Sequence, residues 1–272
     1  MSTVIAVAPN GGRRTTKDHP ALPVTAEQTA RTAAACREAG AAMLHIHVRQ
    51  PDQRHSLDIE LYREAIAAAR REVGPDMVIQ ATTESVGLYK AAEQMAMVRE
   101  LKPEAISMAL RELAPDEAGK AAFADFVGWL QRERIASQII LYDTADTARA
   151  RAWAQEGVFD ARAMSVIFVT GKYAPPTPAA PADLLPLHAD CADLFRDWML
   201  CSFGPRETGC VTLAALLGGH CRVGFENNLA LPDGARAPDN AAIVSATVGA
   251  LHAVGLKPAT PGELRRAWGL QG

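Results

Sequence analysis

The segment GAAMLHIHVRQ places His45, His47 and Arg49 at alternate positions of an apolar run. In an extended strand, residues two apart point to one face. The three therefore share a side, while Leu44, Ile46 and Val48 take the other. Two imidazoles roughly 6–7 Å apart along a strand can hold one divalent metal. The plainer role for such a pair is hydrogen bonding to backbone or carboxylates in a polar layer. A metal needs a third ligand, and GGHCRVGFENNLAL supplies a candidate. Arg222, Gly224 and Glu226 share one face by the same period, with Glu226 at the end of the run. A carboxylate there can also start a helix or face solvent. Two histidines and one carboxylate with open positions suit Zn²⁺ acting as a Lewis acid. The same set suits a facial-triad Fe²⁺. With no redox motif in the chain, zinc is preferred. Of the other histidines, His19 lies in the first loop and can reach the same mouth. His220 begins its run and belongs at the opposite end, in a structural role. His55, His188 and His252 are expected on loop or helix surfaces.

These residues have to be held by a sheet. Eight short apolar runs read as strands: Thr3–Ala8, Met43–Val48, Met77–Ala81, Ala105–Ala109, Gln138–Tyr142, Ala163–Phe168, Trp198–Ser202 and Cys221–Phe225. Alanine-rich amphipathic stretches separate them: Thr25–Ala39, Asp58–Val73, Leu88–Leu101, Pro115–Arg134, Thr144–Glu156, Ala182–Asp193, Glu207–Leu217 and Asn240–Val254. Thr25 with Gln28 forms a capping-box pattern, and Gly74-Pro75 is a stop signal. Near-continuous apolar strands alternating with helices imply a parallel sheet covered on both faces. Eight such units in 272 residues predict a (β/α)8 TIM barrel. A doubly wound sheet would show a glycine-rich phosphate turn after the first strand, and APNGGRRTTKDHPALP has no GxGxxG. No Ser/Gly linker or charge block divides the chain, so residues 1–272 read as a single barrel domain. In a barrel, strands eight and two flank strand one, which lets Glu226 face the histidines across the mouth at the strands' C-terminal ends.

The formal charge of −3 gives no electrostatic case for nucleic acid or an anionic membrane. No apolar run approaches the roughly 18 residues of a spanning helix. The start MSTVIAVAPNGG lacks a basic region before its apolar stretch and reads as a first strand. Cys36, Cys191, Cys201, Cys210 and Cys221 are scattered, odd in number and form no CxxC. Reduced thiols and a cytoplasmic location follow.

Along nearly its whole length the sequence resembles the β-keto acid cleavage enzymes, the family of 3-keto-5-aminohexanoate cleavage enzyme. The resemblance is carried by TTKDHPALPVT, EAGAAMLHIHVR, VIQATTESVG, LKPEAISMAL, GGHCRVGFENN and LKPATPGELR. It implies a zinc-dependent barrel that condenses a β-keto acid with acetyl-CoA, releasing acetoacetate and a new CoA thioester. His45, His47 and Glu226 would be the zinc ligands and Arg222 a catalytic polar residue. Thr82 and Ser107 match positions whose hydroxyls lie near substrate, and Asp143 matches an acidic position after strand five. The first loop, here Arg13 and Arg14, meets the variable end of the substrate. An inward arginine there, Arg14 being the candidate, would favour a second carboxylate. The resemblance also implies a homo-oligomer, a dimer or tetramer.

Four departures stand out. The family's Glu-Asp pair on strand eight, whose aspartate is its base, is Glu226-Asn227 here, and an amide cannot act as a base at neutral pH. The strand-three segment reads Thr82-Thr83-Glu84-Ser85, so Glu84 offers a replacement carboxylate. TGKYAPPTP stands for a glycine-rich turn after strand six, and FGPRETG for a Gly-Arg-aromatic motif after strand seven. Lys172 and Arg206 are candidate anion contacts in those two loops. Two other functions fit parts of the pattern. One is a metal-binding barrel with altered or lost catalysis, favoured by Asn227. The other is a metal-dependent hydrolase, which needs His-x-His on strand one and further histidines after strands five and six.

Overall fold

A computed structural model describes residues 2–270. Eight parallel strands close into a barrel: β1 Ile5–Val7, β2 Met43–Ile46, β3 Val78–Thr82, β4 Ala105–Ala109, β5 Ala136–Leu141, β6 Ser165–Thr170, β7 Asp197–Ser202 and β8 His220–Val223. This is the (β/α)8 architecture that the alternation of apolar runs predicts. β1 pairs with β8 on one side, with Ala6 opposite Arg222. On the other it pairs with β2, with Ala6 opposite Met43. The segments carrying Glu226 and the two histidines therefore flank one short strand.

Side chains alternate between two apolar compartments. Leu44, Ile79, Ile139 and Leu141 point outward into the layer packed by the helices. Met43, Val78, Ile140, Ile167 and Met199 point inward and fill the barrel. The C-terminal helix, Pro261–Trp268, joins the inward set through Leu264 and Trp268. Its indole N–H donates to Asp197 Oδ2 at 3.0 Å. That helix was not anticipated, although Thr260, Pro261 and Glu263 supply a capping box with proline at the first position.

Several boundaries differ from expectation for local reasons. The helix expected over Pro115–Arg134 begins only at Lys120. Ahead of it, the Asp116 carboxylate accepts from Gly119 N–H and closes a short 3₁₀ turn over Glu117–Gly119. β2 stops at Ile46, and Val48–Arg49 pairs instead with His55–Ser56 in a small antiparallel hairpin. β8 stops at Val223, because Gly224 adopts φ +129° and a Cβ there would meet Ala8 O at 2.6 Å. Capping follows sequence logic elsewhere: Thr25 and Gln28 form their box, and Asp58 caps Ile59–Val73. All five cysteines are unpaired and buried. Among the described residues, no helix is long and apolar enough to cross a membrane.

Candidate active site

The mouth of the barrel holds a cavity of about 480 Å³, whose wall includes His45, His47, Thr82, Glu84, Arg222 and Glu226. Below it, four buried polar side chains form a directed chain. Gln138 Nε2 donates to Ser165 Oγ (3.1 Å), and Gln80 Nε2 donates to Gln138 Oε1 (3.3 Å). His45 Nδ1–H then donates to Gln80 Oε1 (2.8 Å). This order fixes the tautomer of His45: Nδ1 carries the proton and Nε2 presents a lone pair to the cavity. Burial, then Arg222, presses its pKa down to about 3, so the ring is neutral at physiological pH.

His45 Nε2 lies 3.1 Å from His47 Nε2. Glu226 Oε2 lies 3.4 Å from His47 Nε2 and 3.6 Å from His45 Nε2. Ligands held tetrahedrally about 2.1 Å from an ion sit about 3.4 Å from one another. The buried Glu226 Oε2 has no hydrogen-bond partner, as expected of an atom reserved for an ion. The His-His-carboxylate set therefore fits a divalent metal, and it is the only group of that kind among the described residues. Burial alone would raise the Glu226 pKa. The Arg222 guanidinium and the two imidazoles outweigh it and hold the carboxyl well below the usual range.

Glu226 arrives differently from the period-two expectation. It sits on the turn after β8, where Asn227 N–H and Asn228 N–H both bond to Gly224 O. Glu226 N–H donates to Ala8 O at 3.1 Å, tying the turn to β1. Gly11, with φ +60°, lies so close that a Cβ would come within 2.5 Å of Glu226 Cγ. Arg222 Nη2 donates to Glu226 Oε1 (3.2 Å) and to Cys201 Sγ (3.2 Å). Its Nη1 lies 3.4 Å from His45 Nε2, and its buried Nε has no partner.

Glu84 lines the cavity, with Oε2 3.6 Å from His47 Nδ1. Its backbone is pinned at both ends: Glu84 N–H donates to Thr82 Oγ1 (3.1 Å), and His55 Nε2–H donates to Glu84 O (2.6 Å). Burial raises its pKa, and the nearby Glu226 and Glu112 add to that, against the pull of His47. Arg13 and Arg14 also line the cavity. Arg14 Nη1 donates to Phe225 O (2.5 Å), and its guanidinium stands 5.6 Å from the Tyr173 ring centroid.

A model of the beta-keto acid cleavage enzymes matches residues 2–270. The chain belongs to the β-keto acid cleavage enzyme family. Family relatives include a 3-keto-5-aminohexanoate cleavage enzyme of Fusobacterium nucleatum, 29% identical over 100% of this chain and 99% of the relative. A 3-oxoadipate:acetyl-CoA acetyltransferase of Cupriavidus necator is 28% identical over 98% and 94%. In fold, the chain is similar to ObcA solved as a ternary complex with C4-CoA adduct and oxalate. The TM-score is 0.77 at 16% identity, covering 92% of this chain and 68% of that one.

Within this family member, several residues singled out by sequence lie elsewhere than expected. Asn227 turns into the wall, away from the cavity. Its amide donates to Glu207 Oε1 and Arg222 O, and its Oδ1 accepts from the Cys201 thiol. Ser107 is fully buried, its hydroxyl donating to Thr82 Oγ1 (3.2 Å). Asp143 lines the cavity, but it caps the helix Thr144–Gln155 and pairs with Arg111 (2.5 Å). Arg49 lies beyond the strand, in the hairpin, and clamps the first loop through Asn10 O, Gly11 O and Arg14 O. Lys172 lines the cavity and Arg206 does not. His19 is buried, donating to Ala237 O, and His220 Nδ1 accepts from Val4 N–H at the base. His55, expected at the surface, is buried with its ring centroid 5.3 Å from that of His47. The hairpin folds it inward.

Sequence reasoning missed Gln80, Glu112, Arg111 and Tyr142. Gln80 had a signal: an amide inside the apolar run MVIQAT implies a buried partner. Glu112 had none, since only the fold brings it to accept from Ser85 N–H and Ser85 O–H (both 2.9 Å).

Proposed function

We propose that this chain is a zinc-dependent β-keto acid cleavage enzyme that condenses a β-keto acid with acetyl-CoA and releases acetoacetate and a new acyl-CoA. The observation that carries this reading is the convergence of His45 Nε2, His47 Nε2 and Glu226 Oε2 in the wall of a cavity that also holds a partly buried carboxylate, Glu84. Bound there, zinc supplies Lewis-acid polarisation of the keto acid's 1,3-related oxygens.

The protein's own groups then have defined tasks. Glu84 takes the proton from C2 of the keto acid. The aspartate of the usual family pattern is Asn227 here, an amide bonded into the wall. The raised pKa of Glu84 makes it a stronger base than an exposed carboxylate. The C2 carbanion attacks the thioester carbonyl, the C–C bond forms, and CoA leaves as thiolate. The thiolate adds to C3, and the C2–C3 bond breaks with its electron pair on C2. That carbon recovers a proton as acetoacetate departs. Arg222, with its free Nε–H, faces the oxyanions formed along the way. Thr82 contacts substrate, and Ser107 acts through it by holding its hydroxyl. Asp143 borders the substrate's path, and Arg14 meets its distal end. We place the enzyme in the cytoplasm as one barrel domain per chain, assembled as a dimer or tetramer.

The test is incubation of the zinc-loaded protein with acetyl-CoA and a panel of β-keto acids, both monocarboxylic and dicarboxylic, with acetoacetate measured. Release supports the reading. No acetoacetate across the panel from protein that still binds zinc and ligand favours a barrel with lost catalysis.

A further inference from the structure

Tyr142 has no task in the chemistry above, yet it is held with care. Gln138, Ile140 and Tyr142 alternate along the end of β5. Gln138 joins the buried polar chain, and Ile140 and Tyr142 line the cavity one and two steps higher. Two contacts fix the ring and its backbone. Tyr142 N–H donates to Asp146 Oδ2 at 3.0 Å. The Arg111 guanidinium lies 4.6 Å from the ring centroid. Arg111 is itself clamped by Asp143 (2.5 Å) and Asp146 (2.6 Å). Everything but the hydroxyl is engaged, and among the described residues no hydrogen-bond partner for that hydroxyl is found. Burial, with the Glu84 and Glu112 carboxylates adding to it, pushes the phenol up, so it keeps its proton at neutral pH. Arg222, whose charge opposes that shift, lines the same cavity as Tyr142.

We propose that Tyr142 is a further catalytic residue, its O–H donating a hydrogen bond to the thioester oxygen of acetyl-CoA as that oxygen becomes an alkoxide. The assignment rests on the β-keto acid cleavage reading. As the C2 carbanion bonds to the thioester carbon, the C=O π pair moves onto oxygen. The pair returns to re-form the carbonyl when the C–S bond breaks and thiolate leaves. The Tyr142 proton stays on the phenol throughout, so the residue acts as a fixed dipole, not an acid. A ring clamped from one face and by its own backbone is preorganised for that task, with no reorientation needed during the reaction.

Tyr142→Phe keeps the ring under Arg111 and deletes only the hydroxyl. In the zinc-loaded protein, kcat is expected to fall on the order of 100-fold, the effect of removing one oxyanion donor, with bound zinc and melting temperature unchanged. A second readout needs no turnover: the infrared stretch of ¹³C-carbonyl acetyl-CoA bound to the protein. It should lie at lower frequency in wild type than in Tyr142→Phe. An unchanged kcat, an identical carbonyl frequency in both proteins, or loss of zinc from the variant overturns the assignment. A wild type that releases no acetoacetate sinks the functional reading instead, and the infrared comparison still decides whether Tyr142 touches the thioester.

Discussion

His45 Nδ1 stands 2.8 Å from Gln80 Oε1, and that one bond determines which nitrogen of the ring looks into the cavity. Gln80 is in turn oriented by Gln138, so the lone pair of His45 Nε2 is set by side chains on β3 and β5, which reach one another past β4. Replacing Gln80 with leucine removes the acceptor and frees the ring to adopt the other tautomer. Outer partners of metal-bound histidines typically contribute 10–100-fold in affinity. We therefore expect Gln80→Leu to bind zinc about 10–100-fold more weakly in competition with a chromophoric chelator. Equal affinity in the two proteins would show that the bond is incidental.

Gly11 and Glu226 provide a steric test of the same centre. A Cβ at position 11 would lie 2.5 Å from Glu226 Cγ, at a backbone φ of +60° that alanine tolerates poorly. Gly11→Ala should push the carboxylate off the two histidines. Bound zinc, read by elemental analysis after dialysis, should drop well below one per chain while the far-UV circular dichroism stays that of a folded barrel. Full zinc occupancy in the variant would refute the close packing.

Proton abstraction by Glu84 predicts a loss of turnover without a loss of metal. Glu84→Gln should lower kcat by roughly 10²–10⁴-fold while zinc content holds. The partly buried carboxylate has a raised pKa, so it is costly to ionise in place. Its neutral amide replacement should leave thermal stability unchanged or improved. A variant with wild-type turnover removes Glu84 from the reaction.

Two neutral buried imidazoles make the metal-free protein acid-labile. Burial, before any neighbouring charge, presses His45 and His55 down to about 3, whereas an unfolded histidine titrates near 6.5. Between those values the unfolded chain binds more protons than the folded one. Stability therefore falls as pH drops from about 6.5 toward 3. His55→Gln preserves an amide donor for Glu84 O and removes one of the two groups. Urea unfolding of chelator-treated protein should then lose stability less steeply, by about 1.4 kcal/mol per pH unit for the proton removed. Parallel pH profiles for the two proteins would contradict the burial of His55.

Arg14 carries the prediction about substrate choice. Its guanidinium is half-buried, anchored by Phe225 O and faced by Tyr173, and it pairs with no carboxylate among the described residues. Arg14→Gln should reduce kcat/KM for β-keto dicarboxylates by about 10–100-fold and leave monocarboxylic keto acids nearly unaffected, since a charge-assisted bond contributes about 1.5–3 kcal/mol. Equal losses on both classes would mean that Arg14 does not read the distal group.

The barrel was legible because its strands are predominantly apolar and its helices carry their own start and stop signals. The His45–His47–Glu226 cluster was legible too, although Glu226 reaches it by another route than strand alternation. Alternation pointed to the residue, but the strand ends at Val223, and a glycine turn delivers the carboxylate instead. What could not be read was whatever depends on loops folding back. Nothing local marks His55 as buried, because the two-residue strands of its hairpin are too short to show a period. Asn227 reads as a neighbour of Glu226, but its contacts with Glu207 and Cys201 come from the preceding strand–helix unit. Tyr142 ends a strand whose inward face only the closed sheet defines.

Arg49 grips the carbonyls of residues 10, 11 and 14 from the hairpin just beyond His47. The path of the first loop is thus held at three main-chain carbonyls, acceptors that any residue at those positions would present. Exchange of Arg13 leaves all three clamps in place, whereas exchange of Arg14 also removes its bond to Phe225 O, beside Glu226. One guanidinium therefore lets the loop change side chains without changing its course.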